Sequence, residues 1–572
     1  MKRALAISCL AAACASHAPS GGGNVAPVPT KQAPPVKSAP IVVALVVDQL
    51  AAWMAAERFP ELPKTGGFAR LLREGTYARD MRYAHAVTET SPGHAALFTG
   101  AAPYRSGIYA NESIDERTGH RQSALRSARA RTLQSDGTDH ATGITLDGLA
   151  TDTVADVLRE KTPHANIVAL SLKDRGSVFA GGKHPDAAIW FEPRRDSFVT
   201  STAFSPKYPA WARFMDDTAL AGLRKEPWTL LDAQFVSSHA KQPDAQPGES
   251  EVFGFGSTFP HSFSSARFPA VAFRASPRGD DALFALAAAA IEARDISQPM
   301  MLGLSLSSYD YIGHFYGPDS WEAWDELLRL DRSLADFFAL LDRKVGADGW
   351  SAVLSGDHGG PQLPEAPDAA RPWCAKGEDS DFWQRTCRHA GRIFPDALRD
   401  SLEQAADKAL GHGDWILGVA SPYVFYTHSA AELPADRRKK LEDAVTKTLL
   451  AHPEIDRVYG PPTAPCAPET DESIDALACR SLWPANKDAV FIVEKKGSFV
   501  DTDYDLGRGM SHGGPYLFDR SVPLVVRAPG RVPAGAVITE PISFAAYTRA
   551  LSALLGVSPP ALCSEAREIV SR

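Results

Sequence analysis

The chain has 572 residues, 44% hydrophobic and 23% charged, enough for a large buried core with inserted substructure, arranged as one domain with insertions or as two. Its formal net charge of −9 argues against nucleic acid as the main partner, because a binder of that polyanion carries a basic field that releases counterions. Any recognition of phosphate must therefore be local.

Lys2 and Arg3, an apolar run over residues 4–13 and small residues around Cys14 and Ser16 read as an export signal over residues 1–17. The run is too short to span a bilayer, so no transmembrane span is expected. Ala11-Ala12-Ala13-Cys14 resembles a bacterial lipoprotein cleavage box, although such boxes usually carry Leu where Ala11 stands. Plain secretion into the periplasm or medium, and a lipid anchor on Cys14 after cleavage before it, are both open. So is Cys14 as an ordinary residue of a discarded signal. Residues 18–40 are rich in Gly, Pro, Ser and Ala and lack apolar periodicity, as in a flexible tether. The folded domain is expected over 41–572.

From there apolar runs alternate with helical patterns. A continuous apolar run over Ile41–Val47 predicts a strand buried on both faces and ends at Asp48. Asp48 alone would be read as a helix cap. Thr90 follows in Thr88-Glu89-Thr90-Ser91-Pro92-Gly93-His94, where Ser91 and Pro92 look like an N-cap and first helical position. Thr90 is then a residue of a helix entry, and such an entry offers free N–H groups and a favourable dipole to a phosphoryl group. A helix is predicted over 151–161 and a strand over 167–172, followed by Lys173-Asp174-Arg175-Gly176. An Ala-rich helix over 281–294 leads into a third strand over Met300–Leu306. Asp310 and His314 come next, spaced i and i+4 on one face of a helical turn; such a pair is often a surface hydrogen bond. A long helix over 321–341 and a strand over 350–354 end at Asp357-His358-Gly359-Gly360, two polar ligands that would be costly at a buried strand end without a task. His512, in Ser511-His512-Gly513-Gly514, is taken singly a loop histidine.

This alternation predicts an α/β fold with a mostly parallel central sheet sandwiched by helices, with cap or rim segments inserted around 181–277 and 361–411. Ligands in such folds gather at the carboxyl ends of strands, where Asp48, Lys173, Asp310, Asp357 and His358 all fall. Oxygen and imidazole donors without thiolate suit zinc, and two such ions about 4 Å apart clamp both sides of an in-line phosphoryl displacement. No internal repeat is visible. Export permits disulfides, and the close spacing of Cys374 with Cys387 and of Cys466 with Cys479 suggests that each pair staples its own surface loop, leaving Cys563 over. Neither pair has the short spacing of a zinc knuckle.

Taken together, Asp48, Thr90 in Thr-Ser-Pro-Gly-His, Asn111 in Tyr109-Ala110-Asn111-Glu112, Lys173-Asp174-Arg175-Gly176, Asp310 with His314, Asp357-His358-Gly359-Gly360 and His512-Gly513-Gly514-Pro515 resemble the alkaline phosphatase superfamily. Within it the chain is similar to the exported, phosphate-irrepressible zinc alkaline phosphatases with a threonine nucleophile, whose fold is like that of nucleotide pyrophosphatases. The resemblance runs from about residue 41 to beyond His512 and implies two zinc ions per chain. One would be held by Asp310, His314 and His512, the other by Asp48, Asp357 and His358 with Thr90. Thr90 would attack phosphorus to give a phosphothreonine, and a water would hydrolyse it with the same in-line geometry and net retention.

Asn111, Lys173 and Arg175 bear on substrate class. A phosphate monoester presents a dianion, which a cationic pair and an amide donor favour through charge-assisted hydrogen bonds. The related phosphodiesterases lack the Lys and Arg and use an apolar pocket. A surface turn is the commoner fate of such a tripeptide, but its place after a strand favours the site. Ser91 departs from the Gly common after the nucleophile. Thr90, in place of Cys or Ser, and a missing downstream Arg exclude sulfatase chemistry. Asp501-Thr502-Asp503-Tyr504-Asp505-Leu506-Gly507 weakly resembles the start of a calcium loop, but Gly507 is one place late and the distal Glu is missing, so a solvated acidic turn is the better reading. The expectation is a broad-specificity phosphomonoesterase acting on small phosphorylated substrates. A phosphodiesterase or nucleotide pyrophosphatase on the same scaffold, and a noncatalytic metal-binding surface protein, are the alternatives.

Overall fold

The Ile41–Val47 strand reads as one apolar run because its alternate residues enter two different cores. Ile41, Val43, Leu45 and Val47 pack into one cluster, and Val42, Ala44 and Val46 into another on the opposite face of the sheet. Truncating such a residue, as in Leu45→Ala, costs about 2–5 kcal/mol in a close-packed interior. A computed structural model gives this architecture and describes residues 38–571 except 141, 241, 367–373, 375–382, 386, 388–389, 483–487 and 502–504. The expected export signal, the Cys14 box and the tether to residue 37 lie outside the described residues.

The fold is α/β. Among the described residues the central sheet has 12 strands. Its middle is parallel: Trp350–Ser355, Ile41–Val47, Met300–Leu306, Asn166–Ser171 and Ala187–Glu192 lie side by side. On the flanks antiparallel strands enter, Ser521–Arg527 between Trp350–Ser355 and Thr76–Arg82, and Ser197–Ser201 beyond Ala187–Glu192, while Ala536–Ile538 and Ile542–Ser543 pair parallel with Thr76–Arg82 at the edge. Helices cover both faces, Pro277–Ala293 and Trp321–Val345 contributing to one core and Ala545–Leu555 to the other. A smaller antiparallel sheet of Ile416–Ala420, Tyr423–Tyr426, Ala489–Glu494 and Ile455–Tyr459 packs against helices Pro395–Leu410 and Ala435–Ala451 over a core of its own.

Helix ends differ from their expected places for local reasons. The helix expected from 151 begins at Val154, because Thr153 caps it in a reciprocal box with Asp156. The Ala-rich helix begins at Pro277, a residue pre-set for the first turn. The long helix continues to Val345 and stops at Gly346, whose φ is 80°. The helix after Glu89 starts at Thr90, with Glu89 rather than Ser91 at the N-cap. Pro92 gives no sharper boundary, since the first N–H groups of a helix lack intrahelical partners and proline is tolerated throughout that turn.

Cys374 pairs with Cys387 and Cys466 with Cys479, and Cys563 is free. No helix among the described residues is long and apolar enough to cross a membrane.

Register positions the site. Ser355 pairs with Val46, Val46 with Ser305 and Ser305 with Ser171, so four parallel strands end in one row. Neighbours in such a row are about 4.8 Å apart. The residues just beyond it are Asp357 and His358, Asp48, the helix Ser308–Tyr316 carrying Asp310, and Lys173.

Candidate active site

The row of strand ends delivers two ligand sets, Asp48 with Asp357 and His358, and Asp310 with His314 and His512. All six are buried. His358 Nε2 lies 3.3 Å from Asp48 Oδ1 and 3.5 Å from Asp357 Oδ2. His314 Nε2 and His512 Nε2 lie 3.3 and 3.6 Å from Asp310 Oδ1. Two donors bound about 2.0 Å from one tetrahedral ion stand about 3.3 Å apart, so these spacings fit a shared cation in each set. Each imidazole is turned inward by its far nitrogen: Nδ1 of His314, His358 and His512 donates to the carbonyls of Met510, Gly359 and Thr88, at 2.8, 2.9 and 2.8 Å. That is the outer-shell arrangement that fixes a ligating tautomer. Asp48 caps nothing; the next helix, Ala52–Arg58, has Ala51 at its N-cap.

The electrostatics also fit cations. Asp48 and Asp357 are fully buried, and what faces their oxygens is Lys173 Nζ at 2.7 Å from Asp48 Oδ2 and two imidazoles, His358 Nε2 at 3.3 Å from Asp48 Oδ1 and His94 Nδ1 at 3.0 Å from Asp357 Oδ2. Burial and the Asp310 charge raise the Asp48 carboxyl, but Lys173 and His358 outweigh them and hold it below the usual carboxylate range. Burial lowers His358, yet Asp357 and Asp48 push it up to about 9. His512 is pushed down to about 3 by burial and by the His358 charge, the two rings stacking at 3.7 Å. Three buried carboxylates are thus gathered around Lys173 and three imidazoles, and an uncompensated buried charge is expensive.

Thr90 opens the wholly buried helix Thr90–Thr99, its Oγ1 3.4 Å from His358 Nε2. Gly93 lets this helix approach closely, since a Cβ there would sit 2.2 Å from the Asp357 carbonyl oxygen. Lys173 Nζ is 3.1 Å from Thr90 Oγ1, 2.7 Å from Asp48 Oδ2 and 2.5 Å from Asp310 Oδ2. Burial would lower its pKa, but the two carboxylates raise it well above the ordinary lysine value. Asn111 Oδ1 accepts from the Ser91 N–H at 2.7 Å, which leaves the donating Nδ2 for the cavity. Arg175, in the first turn of Asp174–Gly181, lines the same cavity.

Three neighbours had no assigned role in the sequence. Gln49 holds a left-handed φ of 66°, donates from Nε2 to Asp310 Oδ1 at 2.9 Å and from its backbone to Asp357 Oδ1 at 3.2 Å. Gly313 makes room for it; a Cβ there would meet Gln49 Oε1 at 2.1 Å. Glu89 accepts from the Asn111 N–H at 2.8 Å, and burial pushes its carboxyl up to about 7. His94 ties the Thr90 carbonyl to Ser305 Oγ, with Nδ1 3.0 Å from Asp357 Oδ2. The Thr-Ser-Pro-Gly-His string contained that signal; the Gln49 backbone left no trace in its residue type.

Thr90, Asn111, Lys173, Arg175, His314 and His512 line a cavity of about 730 Å³. Of the two stretches expected to form its rim, 181–277 supplies Arg194 and 361–411 supplies Asp396 and Arg399. Segments with no expected part supply the rest, including Ile114, Arg121, Leu417 and Val419. In the acidic stretch near the C-terminus, residues 502–504 lie outside the described residues. Asp501 is buried rather than solvated, accepting from the Gly507 N–H at 2.9 Å, and Asp505 accepts from Ser250 Oγ at 2.6 Å.

Residues 42–373 match the family described as type I phosphodiesterase / nucleotide pyrophosphatase. The chain is 32% identical over 333 residues to alkaline phosphatase PhoV of Synechococcus elongatus, covering 57% of this chain and 60% of that protein. It is 33% identical over 331 residues to alkaline phosphatase PafA of Elizabethkingia meningoseptica, covering 56% of this chain and 59% of that one. The matches thus span about three fifths of the length of these relatives. The crystal structure of wild-type alkaline phosphatase PafA aligns with a TM-score of 0.77 at 24% identity, over 92% of this chain and 98% of that one, which shows a common fold.

Proposed function

The chain belongs to the type I phosphodiesterase / nucleotide pyrophosphatase family, within the alkaline phosphatase superfamily, and on that premise we propose a zinc-dependent phosphate monoester hydrolase of broad specificity that works through a phosphothreonine at Thr90. Two zinc ions would be held by Asp48, Asp357 and His358 with Thr90, and by Asp310, His314 and His512, and would supply Lewis acidity on both sides of an in-line displacement.

The Thr90 hydroxyl gives up its proton and Oγ1 attacks phosphorus; the P–O bond to the ester oxygen breaks, that oxygen takes up a proton and leaves as the alcohol, and a phosphothreonine remains. The Lys173 ammonium, 3.1 Å from Oγ1, stabilises the developing alkoxide, and the helix dipole at Thr90 acts in the same sense. Asn111 Nδ2 and the Arg175 guanidinium bind the nonbridging oxygens. A water then attacks phosphorus from the side the alcohol left, and the threonine hydroxyl is regenerated. Two inversions give net retention.

The observation that carries the monoester reading is Lys173 with Arg175 and Asn111 around one buried threonine: two cations and an amide suit a dianion and are excessive for a diester. Apolar Ile114, Leu417, Val419 and Val500 in the same cavity favour a second reading, a phosphodiesterase that seats an apolar ester group. Metal analysis, with turnover of p-nitrophenyl phosphate against bis(p-nitrophenyl) phosphate, separates the two. A preference for the diester overturns the monoester reading. The disulfides and the signal-like N-terminus support export, with Cys14 as the site of a lipid anchor if the chain is tethered.

A further inference from the structure

The floor of the cavity accounts for one phosphoryl group, yet its volume of about 730 Å³ lies within the roughly 300–1,000 Å³ of sites that enclose a whole small molecule. Above the floor, three arginines reach the lining from three separate segments. Arg121 begins the strand Arg121–Ser123, Arg194 lies in the turn between Ala187–Glu192 and Ser197–Ser201, and Arg399 is on the helix Pro395–Leu410. Arg399 Nε is 3.4 Å from the Ile416 carbonyl oxygen, which holds its stem against the rim. Glu112 and Asp396 also line this region, and Asp400 Oδ1 lies 3.3 Å from Arg399 Nη1, so what sets the mouth apart is the three guanidinium groups gathered there rather than a net charge. In a chain with 69 acidic against 60 basic residues, three guanidinium groups on one cavity mouth offer an anion charge-assisted hydrogen bonds.

We infer that Arg121, Arg194 and Arg399 form a second anion site, and that the preferred substrates are phosphomonoesters whose leaving group carries a further phosphate or carboxylate. This rests on the phosphomonoesterase reading of Thr90. Guanidinium forks pair with such groups bidentately, and binding energy from a remote part of the substrate is available to the reacting end.

The test compares glucose 1,6-bisphosphate with glucose 6-phosphate in the metal-loaded enzyme. The expected result is a bisphosphate preference in kcat/KM of about tenfold or more, carried by KM, falling toward one in Arg121→Ala, Arg194→Ala and Arg399→Ala and with added KCl. Calorimetric titration of Thr90→Ala with the same two sugars reads the site without turnover and should show the same preference. Equal binding of both sugars, or a preference unmoved in all three arginine variants, overturns the inference even if aryl phosphate is hydrolysed well. A parent that binds the bisphosphate selectively but leaves every monoester intact overturns the reading of Thr90 and leaves the anion site standing.

Discussion

The Lys173 ammonium donates to the Thr90 hydroxyl at 3.1 Å while lying within 2.7 Å of carboxylate oxygens from both ligand sets. One side chain therefore touches the nucleophile and the two groups that would hold cations. Lys173→Met should lower kcat/KM for p-nitrophenyl phosphate by about 10²–10³, the size of losing one preorganised charge partner, and diester turnover by less, because the alkoxide contact is common to both esters while the contact with a dianion belongs to the monoester alone. Arg175→Ala should act in the same direction. Steady-state kinetics on the two esters reads the ratio, and equal losses on both would remove the case for dianion recognition.

Thr90→Ala should lower kcat by at least about 10³, roughly 4 kcal/mol, and abolish phosphate labelling of the chain. Thr90→Ser should retain labelling, now on serine. Acid-quenched samples analysed by peptide mass spectrometry locate the phosphate, and label on any other residue contradicts the assignment.

Gln49 separates the two ligand sets. Of the six ligands its side chain bonds only Asp310, with Met510 Sδ a further contact at 4.0 Å, whereas its bond to Asp357 comes from the backbone and survives substitution. Gln49→Leu should weaken one metal by about 10–100-fold, the usual effect of removing an outer-shell partner, and leave the other in place. Chelator competition should show one ion lost early and one retained; simultaneous loss would mean the sets are not independent.

Glu494 gives a pH dependence away from the metal ligands. Burial, together with Glu89 and Asp519, pushes its carboxyl up to about 8, against an ordinary value of 4.5. Between those values the folded chain binds more protons than the unfolded one, so stability falls as pH rises through this window. Glu494→Gln should flatten that slope and shift the urea midpoint upward at pH 9 more than at pH 5. A variant that loses stability equally at both would rule the carboxyl out as the cause.

The parts that sequence alone conveyed were those set by periodicity and chain order. Ile41–Val47 and Met300–Leu306 coincide with their apolar runs, because a strand buried on both faces is apolar almost throughout, Ser305 being the one polar residue in the pair. Asp48, Asp310, Asp357 and His358 could be placed from the strands they follow, whereas His512, a loop histidine taken singly, joined the candidate ligand sets only through the family resemblance. The start of the Thr90 helix was two residues off, since an early proline marks a turn and not a residue. Gln49 could not be read at all, because its left-handed backbone is imposed by contacts with Asp310, Asp357 and the space beside Gly313. The cavity mouth was legible only in outline: the expected rim stretches 181–277 and 361–411 supply Arg194 and Arg399, but that Arg121 lines the same cavity follows only from the folding together of distant segments.

The common end row of the four parallel strands gives the protein an order of assembly. Its ligands come from positions between 48 and 512 and converge only when Ser355, Val46, Ser305 and Ser171 stand in line. A slip of one residue in any of these strands would turn its terminal ligand away from the others. Cations at these two candidate sets would therefore be taken up by a finished sheet rather than nucleate the chain as in a zinc finger, and metal content would then record correct folding.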